Sequence, residues 1–397
     1  MQHTPKGLRF QIAILGRVNA GKSSFLNLIT GQDVSIVSQV AGTTTDVVEK
    51  AQELHTFGPV LWLDTAGFGD ETDLSEKRMD KTLKVLERAD AAVLICEDEG
   101  EEEKKIEALA ERKKIPLLKI FNKKEKCDVQ MKENTITMNV LDTSKRFEAV
   151  AAVEQTLLKI CDPEFWAPQT MLSDLVPQGG LVLMIIPVDF EAPKGRLIMP
   201  QVQAIRDCLD HNQMIMVCKE NEYIKALANL RQNPDLVVCD SQVVHFMTSA
   251  TPKNIKCTTF SILMARLKGD VKTFAKGAKM IWKLSDGDKI LVAESCTHHA
   301  AKDDIGTVKI PALIRAKTGK NLIFEHVAGC DFKENLKDYK LIIQCGGCTQ
   351  NRRAIMERIE RATDAGVFIT NYGICLSELS GVLDRVLEPF NLSESDI

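Results

Sequence analysis

Arg9-Phe10-Gln11-Ile12-Ala13-Ile14-Leu15-Gly16-Arg17-Val18-Asn19-Ala20-Gly21-Lys22-Ser23 is the stretch from which the rest of the chain can be read. Its first seven residues are the apolar run of a strand buried on both faces. The run enters Gly16-x-x-x-x-Gly21-Lys22-Ser23, and Ser24 to Ile29 continues in a helical pattern. Strand, glycine loop and helix in that order match a phosphate-binding loop, whose glycines let backbone N–H groups close around phosphates. Lys22 then reaches the β and γ oxygens, and the Ser23 hydroxyl binds Mg²⁺. Asn19, Ala20, Gly21 and Ser24 belong to the same nucleotide-binding loop.

Three later segments extend this reading. Gly42-Thr43-Thr44-Thr45-Asp46 is a polar loop in which the Thr44 hydroxyl can complete the magnesium shell. Val60-Leu61-Trp62-Leu63 runs into Asp64-Thr65-Ala66-Gly67, a carboxylate at a strand end with Gly67 able to approach a γ-phosphate. Lys119-Ile120-Phe121 ends at Asn122-Lys123-Lys124-Glu125, an amide, an amine and a carboxylate suited to a guanine edge. Their order and spacing resemble those of P-loop GTPases of the Era and TrmE type. That resemblance implies GTP as the nucleotide, with Lys22, Asp64 and Gly67 as the catalytic positions. It also implies that Asn19 helps to hold K⁺, an ion that offsets charge developing during cleavage. Phe68 stands where a glutamine would position water, so slow, K⁺-stimulated hydrolysis is expected. Glu125 stands where the usual motif has an aspartate. It keeps the carboxylate on a side chain one methylene longer, while Asp128 lies too far along to replace it. Thr143-Ser144-Lys145 is a further candidate for the base-contacting loop, and 146–160 reads as an amphipathic closing helix.

The chain has 397 residues, twelve cysteines and a net charge of −4. It is long enough for two or three cores, and its Val, Ile, Leu and Ala content suits α/β layers. The acidic balance gives no general attraction to nucleic acid or anionic membrane. With no apolar run of membrane-spanning length and no signal peptide, a cytoplasmic protein with reduced thiols is expected. Residues 161–180 read as a linker. From 181 to 267 a compact βαβαβ unit is expected, with strands at Leu181–Pro187, Met214–Val217 and Leu236–Cys239. It shows no site chemistry, and Cys208, Cys218, Cys239 and Cys257 have no ligand-like spacing.

Residues 268–397 form a second doubly wound pattern. A helix is expected over Val271 to Leu284, and strands near Lys289–Ala293, Leu322–Phe324, Tyr339–Ile343 and Val367–Ile369. Leu341-Ile342-Ile343-Gln344 ends in Cys345-Gly346-Gly347-Cys348, and Ile290-Leu291-Val292-Ala293 ends in Glu294-Ser295-Cys296-Thr297-His298. If both strands share a sheet, Cys296, Cys345 and Cys348 converge at strand ends with His298 close by, where parallel sheets place ligands. Three thiolates and an imidazole suit tetrahedral zinc. Three thiolates also suit a [4Fe–4S] cluster whose fourth iron takes another ligand.

With its TrmE-like GTPase domain, small middle domain and Cys296-x-His298 … Cys345-x-x-Cys348 domain, the whole chain resembles the [FeFe]-hydrogenase maturation GTPases, the HydF family. The resemblance implies an α/β protein of three domains. These are a P-loop GTPase domain at 1–160, a dimerising domain at 181–267 and a [4Fe–4S] domain at 268–397, with the cluster on Cys296, Cys345 and Cys348. It implies a scaffold that receives a di-iron precursor carrying CO and cyanide from radical-SAM maturases and passes it to apo-[FeFe]-hydrogenase. Many members of the family have a histidine where this chain has Gln344. That leaves His298, His299, Glu294, Asp303, Asp304 or water as the fourth ligand. The competing reading is an RNA- or ribosome-associated GTPase with a structural Cys3His zinc site.

Overall fold

The computed structural model describes residues 4–31, 48–55, 58–65, 67–68, 75–162, 170–188, 197–295, 304–329, 332–333 and 335–392. It divides into two compact units, Met1–Pro168 and Gln169–Ile397. Among the described residues no helix is long and apolar enough to cross a membrane.

The first unit runs β1 (Phe10–Gly16), α1 (Lys22–Thr30), β2 (Val48–Leu54), β3 (Gly58–Asp64), α2 (Ser75–Arg88), β4 (Ala91–Cys96), α3 (Glu101–Arg112), β5 (Leu117–Asn122), β6 (Gln130–Lys132), β7 (Thr135–Met138) and α4 (Arg146–Ile160). Its sheet has the order β2-β3-β1-β4-β5-β7-β6, with only the outer strands β2 and β6 antiparallel to their neighbours. Ile12, Ala13, Ile14 and Leu15 are wholly buried because helices cover both faces, which is why the run is continuously apolar. Phe25 of α1 meets Trp62 edge to face at 6.0 Å, and α4 adds Ala149 and Val153 to that core. On the other face Val85, Leu86, Ile106 and Ala110 of α2 and α3 close over Leu15 and Leu94. The chain leaves β1 on one side toward β3 and returns on the other at β4, so the loop after β1 sits at a topological switch point.

The second unit holds two four-stranded sheets, both wholly parallel. The first contains β8 (Leu181–Ile185), α5 (Met199–Asp210), β9 (Met214–Cys218), α6 (Tyr223–Ala228), β10 (Leu236–Cys239), α7 (Val244–Ala250), β11 (Lys256–Thr259) and α8 (Phe260–Lys268), with strand order β11-β10-β8-β9. β11 is a fourth strand beyond the three expected. Lys256-Cys257-Thr258-Thr259 carries little apolar signal, yet the last three are buried, and Thr259 caps α8 by accepting from Ile262 N at 3.2 Å.

The second sheet follows with α9 (Val271–Lys279), β12 (Lys289–Ala293), α10 (Ile310–Thr318), β13 (Ile323–Val327), β14 (Leu341–Gln344), α11 (Arg352–Asp364), β15 (Phe368–Asn371), α12 (Tyr372–Leu379) and α13 (Leu383–Leu387), in the order β13-β12-β14-β15. The helix expected over Val271–Leu284 stops as an α-helix at Lys279 and continues as a 3-10 turn, Met280–Lys283. One core joins the two sheets: Leu183, Ile185 and Val237 from the first, Leu291, Ile342 and Ile369 from the second, with Ile262 and Phe274 among them. α9 packs directly on β15. A Cβ on Gly277 would stand 2.0 Å from the Ile369 carbonyl oxygen. β12 pairs with β14 in the register Ala293↔Gln344, and the chain departs from these strands in opposite directions. Their carboxyl ends are thus the switch point of this sheet.

Candidate functional sites

In the first unit the loop after β1 is built by backbone that few side chains tolerate. Asn19 sits at φ 64° and Gly21 at φ 102°, where a Cβ would lie 2.6 Å from Asn122 Nδ2. Gly21 then opens α1, whose first-turn N–H groups and positive dipole end favour an anion. Lys22 is buried in the loop and donates to the carbonyls of Gly16 at 3.1 Å and Arg17 at 2.8 Å. Val18 N donates to Phe68 O at 3.1 Å, which brings Gly67 against the loop. A Cβ on Gly67 would be 2.7 Å from Val18 Cα and 2.8 Å from Lys22 Nζ.

Ser23 Oγ donates to Asp64 Oδ2 at 3.4 Å, and Asp64 Oδ1 is buried without a hydrogen-bond partner. Burial raises the Asp64 carboxyl above its ordinary range, against the opposing pull of Lys22 and Ser23. A hydroxyl and an unsatisfied carboxylate oxygen side by side fit a hard cation such as Mg²⁺. Thr44, the expected third contributor, lies outside the described residues. Phe68 is 1% exposed within the core, so its side chain cannot orient water.

Asn122 ties the base-side loops to the phosphate loop. Its Nδ2 donates to Ala20 O at 3.0 Å while its Oδ1 accepts from Val140 N at 3.2 Å. Lys123 N donates to Met138 O at 2.9 Å, and Asn139 Nδ2 reaches the carbonyls of Lys124 and Glu125, both at 3.3 Å. Glu125 is exposed at the rim. The Asp128 carboxylate is engaged by Lys145, which holds it below the usual carboxylate range.

The second site is at the carboxyl ends of β12 and β14. Cys345 N donates to Ala293 O at 2.9 Å, extending the ladder one residue beyond the strand. Cys345 Sγ accepts from Ser295 N at 3.1 Å and lies 3.2 Å from Ser295 Oγ. Thr349 Oγ1 donates to Ser295 O at 3.4 Å, and Arg358, buried beneath, reaches Ser295 Oγ at 3.5 Å and Gly329 O at 3.0 Å. Cys345 and Cys348 are both half-buried. Burial raises the Cys348 thiol and Lys268 opposes that rise. Lys268, 3% exposed, is itself brought down to about 8 by burial, with the two cysteines working against the shift.

Cys296, His298, His299 and Asp303 lie outside the described residues, although Ser295, the residue before Cys296, is the one bonded to Cys345. Of the other fourth-ligand candidates, Glu294 Oε1 accepts from Tyr372 OH at 3.1 Å, and Asp304 caps a turn through Thr307 N at 2.6 Å. Gln344 is buried, and its side-chain oxygen has no hydrogen-bond partner. Soft sulfur donors, a backbone N–H on one sulfur, two buried cations and an orphaned polar atom fit a thiolate-bound, anionic metal group. Elsewhere Cys96, Cys161 and Cys208 are pushed up to about 12 by burial and are apolar core groups. Lys268, Ser295, Arg358 and Tyr372 carried no signal in the sequence, since each meets its partners across dozens of residues.

Three family models match the chain. A hydrogen maturase F dimerization domain covers residues 171–269, a hydrogen maturase F tetramerization domain covers 272–389, and a 50S ribosome-binding GTPase covers 11–123. Among curated proteins, the tRNA modification GTPase MnmE of Lachnoclostridium phytofermentans is 38% identical over 151 residues, 37% of this chain and 31% of that protein. GTPase Der of Nitratiruptor sp. is 37% identical over 118 residues, 28% of this chain and 25% of that protein. The matched segments thus span only about a quarter to a third of these relatives. Among solved structures, Aquifex aeolicus Era bound to GDP and aluminium fluoride aligns with a TM-score of 0.31 at 20% identity, covering 54% of this chain and 97% of that one.

Proposed function

Because the chain belongs to the hydrogen maturase F family, we propose that it is a GTP-hydrolysing scaffold that carries a [4Fe–4S] cluster. In this role it assembles a di-iron precursor and delivers it to apo-[FeFe]-hydrogenase. The observation that carries the proposal is that one chain pairs a GTPase domain with a cysteine turn at a sheet switch point, within a family named for hydrogenase maturation.

On the nucleotide side, Lys22 takes the β and γ oxygens, and Ser23 and Thr44 bind Mg²⁺ with Asp64 behind them. Gly67 faces the γ-phosphate, Asn19 assists K⁺, and Asn122, Lys123 and Glu125 take the base. Phe68, the residue directly after Gly67, is apolar and buried and cannot orient water, which supports slow hydrolysis stimulated by K⁺. On the other side, Cys296, Cys345 and Cys348 hold the cluster, and the fourth ligand comes from His298, His299, Glu294, Asp303, Asp304 or water. Bound there, the cluster offers one iron with an exchangeable position to which the cargo attaches. Ser295 and Lys268 hold the turn, and Gly346 and Gly347 carry no side chain of their own to keep a cluster from its backbone N–H groups.

Dimers form through the middle domain, and the working partners are radical-SAM maturases and apo-hydrogenase. Nucleotide state changes how partners bind and leave and does not drive chemistry at iron. In the test, chain prepared anaerobically with the radical-SAM maturases is mixed with apo-hydrogenase, and hydrogen evolution is followed. Wild type should activate the hydrogenase, Lys22→Ala should still load cargo, and Cys345→Ser should deliver none. Equal activation by Cys345→Ser would end the proposal.

A further inference from the structure

Lys268 is the last residue of α8, and its side chain crosses to a turn 79 to 82 residues away. Its Nζ donates to Gly347 O at 3.0 Å, Cys348 O at 3.1 Å and Gln350 O at 2.7 Å. An ammonium has three N–H donors, so three carbonyls use all of them. The reciprocal contact is made by Arg352, in the first turn of α11 just after the cysteine turn. Its Nη1 donates to Leu267 O and Gly269 O, both at 3.1 Å, and so satisfies carbonyls that the end of α8 leaves open. Two cations, each capping the other segment's carbonyls, lock the end of the dimerization domain to the cysteine turn of the tetramerization domain.

We infer that Lys268 is a positioning residue for the cysteine site, fixing the Gly347–Gln350 turn through three carbonyls and placing a counter-charge against the backbone of that turn. The need for the first role is visible in the turn itself. Gly347 is at φ 62°, and only one backbone bond, Gln350 N to Gly347 O at 3.0 Å, closes it internally. The need for the second follows from charge. Thiolates half withdrawn from water gain from a nearby cation, and the Lys268 ammonium, 3% exposed, lies 3.1 Å from the Cys348 carbonyl. A cation there favours the more negative, reduced state of an iron–sulfur cluster, because added negative charge gains from it.

This inference rests on the iron–sulfur reading, and two measurements keep their failures apart. In the metal-free full chain, hydrogen exchange is read over 346–351 with β8 and β10 as internal controls. Lys268→Met should speed exchange in the turn at least tenfold and leave the two strands unchanged; equal exchange in the turn would overturn the brace. In the reconstituted full chain, Lys268→Gln keeps two donors and loses the charge. It should retain its iron while its midpoint potential falls by about 59 mV, a tenfold change in a one-electron equilibrium. A potential equal to that of wild type would overturn the counter-charge. Where Lys268→Met fails to fold, exchange in Lys268→Gln decides the first arm. Where wild type itself takes up no iron and sulfide, the cluster reading has failed, and exchange alone decides the brace.

Discussion

At the nucleotide end Lys22 reaches back to the carbonyls of Gly16 and Arg17, six and five residues earlier in its own loop. At the cysteine end Lys268 arrives from a different sheet layer and reaches three carbonyls of a turn it does not belong to. Both loops follow a buried parallel strand at a switch point, and in both an ammonium holds the backbone. They differ in what that ammonium is for. The Lys22 bonds are local, and in the proposed GTP complex they are exchanged for phosphate oxygens. The Lys268 bonds use every donor and join two segments of one core. A ligand-binding lysine can be lost with the fold intact, whereas a bracing lysine is coupled to the folding of its site.

The largest expected effect lies on the nucleotide side of this contrast. Lys22→Ala should weaken GTP binding by about a hundredfold or more, the size of a lost charge-assisted bond of about 3 kcal/mol. Iron content and melting temperature should stay at their wild-type values. A parallel loss of iron, seen by metal analysis of the same sample, would break the contrast.

Next comes Gly67→Ala, whose methyl would press on Val18 and Lys22 Nζ. Displacing the loop and the Lys22 ammonium should lower GTP turnover about tenfold, about 1.4 kcal/mol in the barrier, with iron retention unchanged, as followed by phosphate release and metal analysis. The corresponding glycine at the other end should behave in the opposite way. In Gly347→Ala the new Cβ meets Ile355 Cδ1 at 2.6 Å from a left-handed φ of 62°. The strain of about 1–2 kcal/mol should lower the melting temperature by about 4 °C and reduce iron retention, with GTP turnover unchanged.

The smallest effect concerns Glu325 on β13, at the edge of the cysteine sheet. Lys333 and then Tyr339, whose hydroxyl donates at 2.7 Å, hold its carboxyl down at about 2. A depressed carboxyl contributes stability above its unfolded pKa, and that contribution disappears as pH falls toward the folded value. Glu325→Gln should therefore melt slightly below wild type at neutral pH, with the gap closing toward pH 2 in a series of thermal scans.

The phosphate-binding loop was legible because its residues are contiguous. Gly16 to Ser23 names the loop, and the strand and helix flanking it fix its setting. Lys289–Ala293 and Leu341–Gln344 were legible as strands for the same reason: each is a buried apolar run that ends in a chemically distinct turn. β2 was missed because Val-Glu-Lys-Ala-Gln-Glu-Leu is an edge strand, half-exposed along most of its length, with little apolar pattern. The early end of α9 at Lys279 was missed because Met280 to Lys283 keeps a helical composition while winding more tightly. At the cysteine turn the thiols were legible and their support was not. Lys268, Ser295 and Arg358 are defined by contacts spanning 29 to 82 residues, and no local spacing encodes such contacts.

The claim on which the account turns is that the thiols at the β12–β14 switch point hold iron. It is tested most directly by iron and sulfide analysis with EPR of the reduced, anaerobically prepared chain, comparing wild type with Cys345→Ser. The account predicts about four irons and four sulfides per wild-type chain with a cluster signal, the stoichiometry of a [4Fe–4S] centre, and loss of both in the variant. An unchanged signal and iron content in Cys345→Ser, or a colourless wild type holding one zinc, would contradict it.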